Sequence, residues 1–299
     1  MPTPYEKKEF LQRDYFFNKS KNGDLEVHKC IACWSDICGF GSILDKCQWD
    51  LNKMKNSNLL HILSIVHRHA VKPLLVNIDP YPHEIILVLN DGVARTVDLH
   101  NKNAISYFSL LCYLRDLIFM HANLLEATKS CKLGFRTILA GGEKVQYSST
   151  LFTGESTLFH GDKISDFGQK LLDTNFVYNP AEFQMNTAFS KAYILDNLGS
   201  KHKIESNGIY VEHSFWNCIN GISNLELVFS DAVMKFYNNK KIHFELELGE
   251  DFMVKYNNLQ MKVNKILRFK ALSQVEWVAD KFKYPHACKT FNLKYTKLL

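Results

Sequence analysis

The chain predicts an α+β fold: an open sheet with an antiparallel hairpin at its centre, helices on one face, and a strand-rich C-terminal extension. Three observations predict it. The first is the order of patterns, β-α-β-β-α-β-α-β, read from alternation and helical spacing across residues 27–213. The second is Asn90-Asp91-Gly92 between two apolar runs, a hairpin signal because these residues tolerate the positive φ of a tight turn. The third is a change of texture after about residue 222, where short strand-like runs follow one another.

Each element has its own reason. Residues 1–24 read as an N-terminal arm with an aromatic patch, Tyr15-Phe16-Phe17, and a turn at Asn22-Gly23. Residues 27–35 alternate and read as a strand. Residues 43–71 carry helical spacing in Leu59, Ile62, Leu63 and Val66, with Ser42 or Asp45 as cap and Pro73 as stop. A short extended piece is expected at 74–78, then a loop at Asp79-Pro80-Tyr81-Pro82. The hairpin strands are 84–89 and 93–99. A long helix is expected over 104–130, and a strand over 134–140 running into Gly141-Gly142-Glu143. Residues 147–175 show only irregular polar connections. A helix is expected over 180–198 with Gly199 as its stop, then a strand over 208–212. In the extension, 225–229, 241–248 and 252–256 read as strands, 259–272 as a helix, and 280–299 as a basic, aromatic tail. The implied division is an arm (1–24), a main domain (25–221) and an extension packed on it (222–299).

Composition narrows the function classes. With 299 residues, 46% of them hydrophobic, the chain can bury one large core. Its 13% aromatic content argues against long disorder. A net charge of +5, with both signs mixed along the chain, admits an anionic ligand without demanding nucleic acid, so a nucleic-acid partner is not expected. The first twenty residues are polar, and no run of about 18 apolar residues occurs, so neither a secretion signal nor a membrane span is expected. The eight cysteines then read as reduced thiols of a cytoplasmic protein. Cys30 and Cys33 point to opposite faces of a strand, which suits buried thiols better than one zinc site. His61, His67 and His69 lack an acid at ligand spacing. No Gly-x-x-x-x-Gly-Lys-Ser/Thr loop and no Gly-x-Ser-x-Gly elbow occurs.

The chemistry-bearing stretch is Cys33-Trp34-Ser35-Asp36-Ile37-Cys38-Gly39-Phe40-Gly41. A strand ends in an acid, and a small-residue turn leads into a helical pattern. The acid is suited to a metal, and the turn at Ile37, Gly39, Phe40 and Gly41 lets backbone N–H groups approach phosphates. Asp91, at the hairpin tip, becomes a second carboxylate beside Asp36 if the hairpin lies next to the first strand. Taken alone, Asn-Asp-Gly is also ordinary turn chemistry.

These residues resemble the class III adenylyl/guanylyl cyclases, whose core is a palm-like (ferredoxin-like) sheet. The family's first strand ends Asp-Ile-x-Gly-Phe-Thr. Here Asp36-Ile37-Cys38-Gly39-Phe40-Gly41 departs only at the last position. The family's hairpin tip, Gly-Asp, is similar to Asn90-Asp91. Its later strand looks like Phe135-Arg136-Thr137-Ile138, and its late helix looks like residues 188–196. The resemblance covers roughly residues 27–213. It implies Mg2+ or Mn2+ held at Asp36, Ile37 and Asp91, a nucleoside triphosphate as ligand, and a homodimer with the site at its interface. The departures are on the late helix, where Ser190 and Ile194 fall at the family's Asn and Arg positions, and near Leu87, where the family has a base-reading Lys. Arg95, Arg136 and Lys191 are the candidates to supply the missing positive charge. Two function classes follow: an enzyme forming a cyclic nucleotide, and an inactive sensor or interaction module on the same scaffold. A nucleic-acid-handling palm domain is a weaker third reading.

Overall fold

The structure, a computed structural model, describes residues 15–55, 59–71, 84–99, 107–146, 159–160, 163–173, 180–222, 225–238, 240–271 and 296–297. Its first half contains α1 (Tyr15–Asn22), β1 (Val27–Cys38), α2 (Phe40–Lys46), α3 (Leu51–Met54), α4 (Leu59–Val71), β2 (Glu84–Leu89), β3 (Gly92–Asp98), α5 (Tyr107–Lys129) and β4 (Gly134–Val145). Then come β5 (Phe159–His160), β6 (Lys163–Ile164), α6 (Asp166–Leu172), α7 (Thr187–Leu198), β7 (Gly208–Glu212) and α8 (Ser214–Ile219). The rest is strand: β8 (Glu226–Ser230), β9 (Val233–Asn238), β10 (Lys241–Leu248), β11 (Phe252–Tyr256), β12 (Leu259–Ala271) and β13 (Thr296–Lys297).

The fold is α+β with one large, mostly antiparallel sheet. Its strand order is β2-β3-β1-β4-β7-β12-β10-β9-β8, with β11 and β13 also paired to β12. The expected hairpin is present but lies at an edge of the sheet rather than at its centre, because the C-terminal strands extend the sheet only from the β7 side: β2, the terminal strand, pairs antiparallel with β3, and β3 pairs antiparallel with β1. Strand alternation divides the side chains of β1. Ile31, Cys33 and Ile37 enter the large apolar core with Val66 of α4 and Leu114 and Leu117 of α5. Cys30 and Ala32 point the other way and pack on Ala188 of α7. The expected layer of helices on one face is α4 and α5, and α7 covers part of the opposite face.

Several boundaries moved for local reasons. The helix expected over 43–71 is three helices, and Gln48 and Trp49 sit at φ +56° and +58° between the first two, a conformation that stops a right-handed helix. The helix expected from Pro180 begins at Thr187, after a 3-10 turn at Ala181–Phe183. The helix expected over 259–272 is the strand β12. Its buried residues Met261 and Val263 alternate with exposed Gln260 and Lys262, a period of two rather than 3.6. β9 and α8 lie where no element was expected. The expectations for 74–78, Asp79–Pro82 and most of the basic tail fall outside the described residues.

The C-terminal strands do more than rest on the core. β12 pairs antiparallel with β7 through Val263–Ile266, so the sheet runs on without a break. Phe236 of β9, Leu246 of β10 and Trp216 of α8 belong to the same apolar cluster as β1. The chain divides into two compact units, one of Met1–Val27 with Lys144–Asn186, the other of His28–Glu143 with Thr187–Leu299. Within the first, Phe16 is buried, Lys19 lies over the Tyr15 ring at 5.3 Å, and the Asn186 side chain donates to the Glu182 carbonyl at 2.9 Å. Among the described residues no helix is long and apolar enough to cross a membrane.

Candidate functional site

The register between β1 and β3 builds the site. Asp36 lies opposite Gly92, so Asp91, one residue earlier, stands at the neighbouring strand end. Asn90 carries the positive φ of the turn, +55°. Gly92 is glycine for a different reason: a Cβ there would collide with the Trp34 indole. His67 of α4 steadies the tip, its Nε2–H donating to the Asn90 carbonyl at 3.1 Å.

β4 supplies the next group. The cross-strand contacts Lys29–Glu143 (2.5 Å) and Ser35–Thr137 (2.9 Å) share one antiparallel register, in which Asp36 falls opposite Arg136. α7 supplies another. Its stripe of Ala188, Ala192 and Leu195 is buried, and the small residues let the helix lie close to the sheet: a Cβ on Gly142 would stand 2.5 Å from the Ala188 nitrogen. Asp196 extends that stripe and is 5% exposed. Arg136 Nε donates to its Oδ1 (2.5 Å), Trp34 Nε1 donates to its Oδ2 (3.2 Å), and the Arg136 guanidinium also donates to the carbonyls of Asp196 (2.8 Å) and Ile204 (3.2 Å).

The electrostatics follow from this crowding. Burial first, then the charges of Asp91 and Asp196, push the half-buried Asp36 carboxyl up to about 8, against the pull of Arg136. Burial also raises Asp91, with Asp196 adding to it and a hydrogen bond from its own backbone opposing. The site therefore carries more carboxylate than one guanidinium offsets, which favours a cation. Among the described residues no group of three or more His, Cys, Asp or Glu gathers to hold a metal ion. A pair of carboxylates still suits Mg2+ or Mn2+, hard cations that take one or two protein oxygens and complete their shell with water and phosphate.

The other expected residues are distributed as follows. Ile37 buries its side chain in the core, and its backbone N–H donates to the Asp36 carboxylate. Gly39 turns at φ +94° directly before α2, Phe40 is buried, and Gly41 faces open space. Arg95 is corrected: it lies opposite Cys33, on the α4–α5 face, where Glu84 accepts from its Nε at 2.5 Å and both side chains are 2% exposed. Alternation along β3 turns it away from Asp36. Lys191 is also corrected. Its Nζ donates to the Gly141 carbonyl (3.0 Å) and Ser214 Oγ (2.9 Å) and pairs with Glu212 (3.5 Å). Gly141 is five residues along β4 from Arg136, about 16 Å at ~3.3 Å per residue.

Sequence reasoning missed Asp196 and Trp34 as site residues. The available signal was an acid continuing the apolar stripe of an otherwise buried helix face. It also missed an aromatic ledge. Phe189 and Tyr193 of α7 lie 6.0 and 5.4 Å from the Trp34 ring, both edge-on.

The chain matches no protein-family model and no curated protein. Its structural likenesses are to cyclase domains. The guanylyl cyclase Cya2 aligns over 81% of this chain and 93% of its own, at 9% identity and a TM-score of 0.45. The non-canonical dimeric guanylyl cyclase domain of the RhoGC fusion protein from the aquatic fungus Blastocladiella emersonii aligns over 81% and 96%, at 12% identity and a TM-score of 0.36. A bacterial light-regulated adenylyl cyclase aligns over 81% and 53%, at 9% identity and a TM-score of 0.40. At this distance the chemistry has to come from the side chains themselves.

Proposed function

We propose that this chain is a class III cyclase-like signalling domain that binds a nucleoside triphosphate through Mg2+ or Mn2+ held by Asp36 and Asp91. The observation that carries this reading is the pairing of Asp36 with Gly92, which brings two carboxylates to adjacent strand ends. Asp36 is the more burdened of the two, pushed up to about 8 by burial and its acidic neighbours. A divalent ion bound there supplies Lewis acidity, lowering the pKa of a ribose hydroxyl and offsetting charge on a leaving pyrophosphate. The backbone at Ile37 and the turn at Gly39, Phe40 and Gly41 receive the phosphates, and two copies of the chain pair as the resemblance implies. The reaction of such a site is attack of the ribose 3′-hydroxyl oxygen on the α-phosphorus. The new O–P bond closes the ring, the bond from α-phosphorus to the bridging oxygen breaks, pyrophosphate leaves with that electron pair, and the hydroxyl proton passes to solvent.

A second reading is a nucleotide sensor without turnover, and one observation favours it. Each candidate cation is already engaged: Arg95 with Glu84, Arg136 with Asp196 and two carbonyls, Lys191 with Glu212 and Gly141. Loss of a charge-stabilising cation lowers rates on the order of a thousandfold. The test is to incubate the protein with each of the four nucleoside triphosphates and Mn2+ or Mg2+, measuring affinity, cyclic product and pyrophosphate. Metal-dependent binding that disappears in Asp36→Ala and Asp91→Ala is expected. Product alongside it makes the chain a cyclase, and binding without product makes it a sensor. Unchanged nucleotide and metal affinity in both variants would remove either reading.

A further inference from the structure

We infer that the knuckle between α2 and α3 docks on an anionic lipid surface, with the Trp49 indole and the Leu51 side chain entering the headgroup boundary. This does not depend on the nucleotide reading above. α2 closes with the Gln48 N–H donating to the Asp45 carbonyl and the Trp49 N–H donating to the Leu44 carbonyl, both at 2.9 Å. That pattern puts the residue after the helix in left-handed backbone, where glycine is usual. Here Gln48 and Trp49 both adopt it, at φ +56° and +58°. An L-residue is disfavoured there, and a bulky one is rare. The strain does not bring the indole into the core: Trp49 is 68% exposed and Leu51 is 65% exposed. Nor is the knuckle loose. The indole N–H donates to Asp45 Oδ1 at 2.9 Å, Lys53 Nζ donates to Gln48 Oε1, and Met54, three residues past Leu51, is fully buried. Strained backbone that holds a large apolar ring in water points to a use for the ring there.

The charges of the knuckle name the surface it fits. Lys46, Lys53 and Lys55 are exposed. From Leu51 to Val71 the chain carries Lys53, Lys55 and Arg68 and no acid. The two acids just before that stretch are engaged locally: Asp45 accepts from the indole, and Asp50 caps α3 by accepting from the Asn52 N–H at 2.9 Å. Two large apolar side chains thus stand out from a turn with lysines close by in sequence. A lipid headgroup layer moulds around protruding side chains, whereas a protein partner has to offer a groove of matching shape. Trp suits that boundary because its ring is apolar while its N–H keeps a polar partner, here Asp45. The lysine ammonium groups meet the lipid phosphates and carboxylates.

The experiment sediments the full chain with vesicles of phosphatidylcholine alone and of phosphatidylcholine mixed with phosphatidylserine, in the native protein, Trp49→Ala, Trp49→Gly, Lys53→Ala and Lys55→Ala. The native chain is expected to bind the mixed vesicles, less so as salt rises, and to leave the neutral ones in suspension. Trp49→Ala and Trp49→Gly each weaken that binding by roughly tenfold, and each lysine variant weakens it by roughly fivefold. Urea unfolding supplies a second readout. Trp49→Gly relieves the left-handed strain, so its midpoint is expected at or above the native one while its vesicle binding is lost. No binding to mixed vesicles overturns the inference, as does equal binding to neutral vesicles or full binding by Trp49→Ala. A lower midpoint in Trp49→Gly shows that the indole serves packing, and also overturns it. Self-association without lipid that disappears in Trp49→Ala assigns the ring to a second copy. Retention on immobilised polyglutamate without vesicle binding assigns the knuckle to an acidic protein. Either result replaces the lipid surface.

Discussion

Two arginines on opposite faces of the same sheet are each held by a carboxylate, yet they do different work. Arg95 pairs with Glu84 at 2.5 Å inside the face covered by α4 and α5, with the Tyr113 ring 5.8 Å away. Arg136 pairs with Asp196 at the same distance, but on the face where Asp36 stands. Its charge pulls the Asp36 carboxyl down while Asp91 and Asp196 push it up. Identical pair chemistry is thus structural in one place and sets the charge of a site in the other. What decides is the neighbour, and the neighbour is set by strand register and face.

The largest break in this comparison is expected at Arg95. Arg95→Met leaves Glu84 charged and buried without its partner, so a loss of about 3–5 kcal/mol is expected in urea unfolding. The double variant Arg95→Met with Glu84→Leu recovers most of it, because no buried charge is left behind. A single-variant loss below about 1 kcal/mol would mean that the pair is hydrated rather than buried.

Asp36 sharpens the other half. Its folded pKa of about 8 lies above the unfolded value, so the folded state binds the proton more tightly. That contribution to stability is fully present below about pH 4 and is lost as pH rises toward 8. Asp36→Asn, measured with chelator present, is therefore expected to be more stable than the native protein at pH 8 by on the order of 1–3 kcal/mol. The advantage fades by pH 4 to 5, where both side chains are neutral. Equal stability at every pH would show that Asp36 is not crowded by other acids.

The smallest effect is expected where a pair lies in water. Lys29 and Glu143 meet at 2.5 Å across β1 and β4, and their side chains are 56% and 50% exposed. Lys29→Ala is expected to leave the urea midpoint unchanged. A clear loss would mean that this contact helps to hold the β1–β4 register, and with it Asp36 opposite Arg136.

Much of this was legible along the chain. Turn chemistry marks the hairpin at Asn90-Asp91, alternation marks the acid at the end of β1, and the two acids become neighbours once the hairpin lies beside that strand. The sequence places a helix where β12 lies, because Leu259, Val263, Ile266 and Leu267 fit a helical stripe as well as a strand until burial separates the periods. Gly92 was read as a turn glycine, although its need comes from Trp34, distant in sequence and adjacent in space.

Periodicity, caps and turns are local, acting over a few residues, so the α+β class, the hairpin and the strand-end acid were written in the sequence itself, whereas the hairpin's place at the sheet edge was not. Which groups meet across strands and helices is nonlocal. Strand register decided that Asp36 faces Arg136 and that Arg95 turns into the core, and the docking of α7 on the sheet decided that Lys191 is held near Gly141 by Ser214 and Glu212. A shift of one residue between strands exchanges the two faces of a sheet, and no local pattern in the chain could say which positive charge would reach the acids.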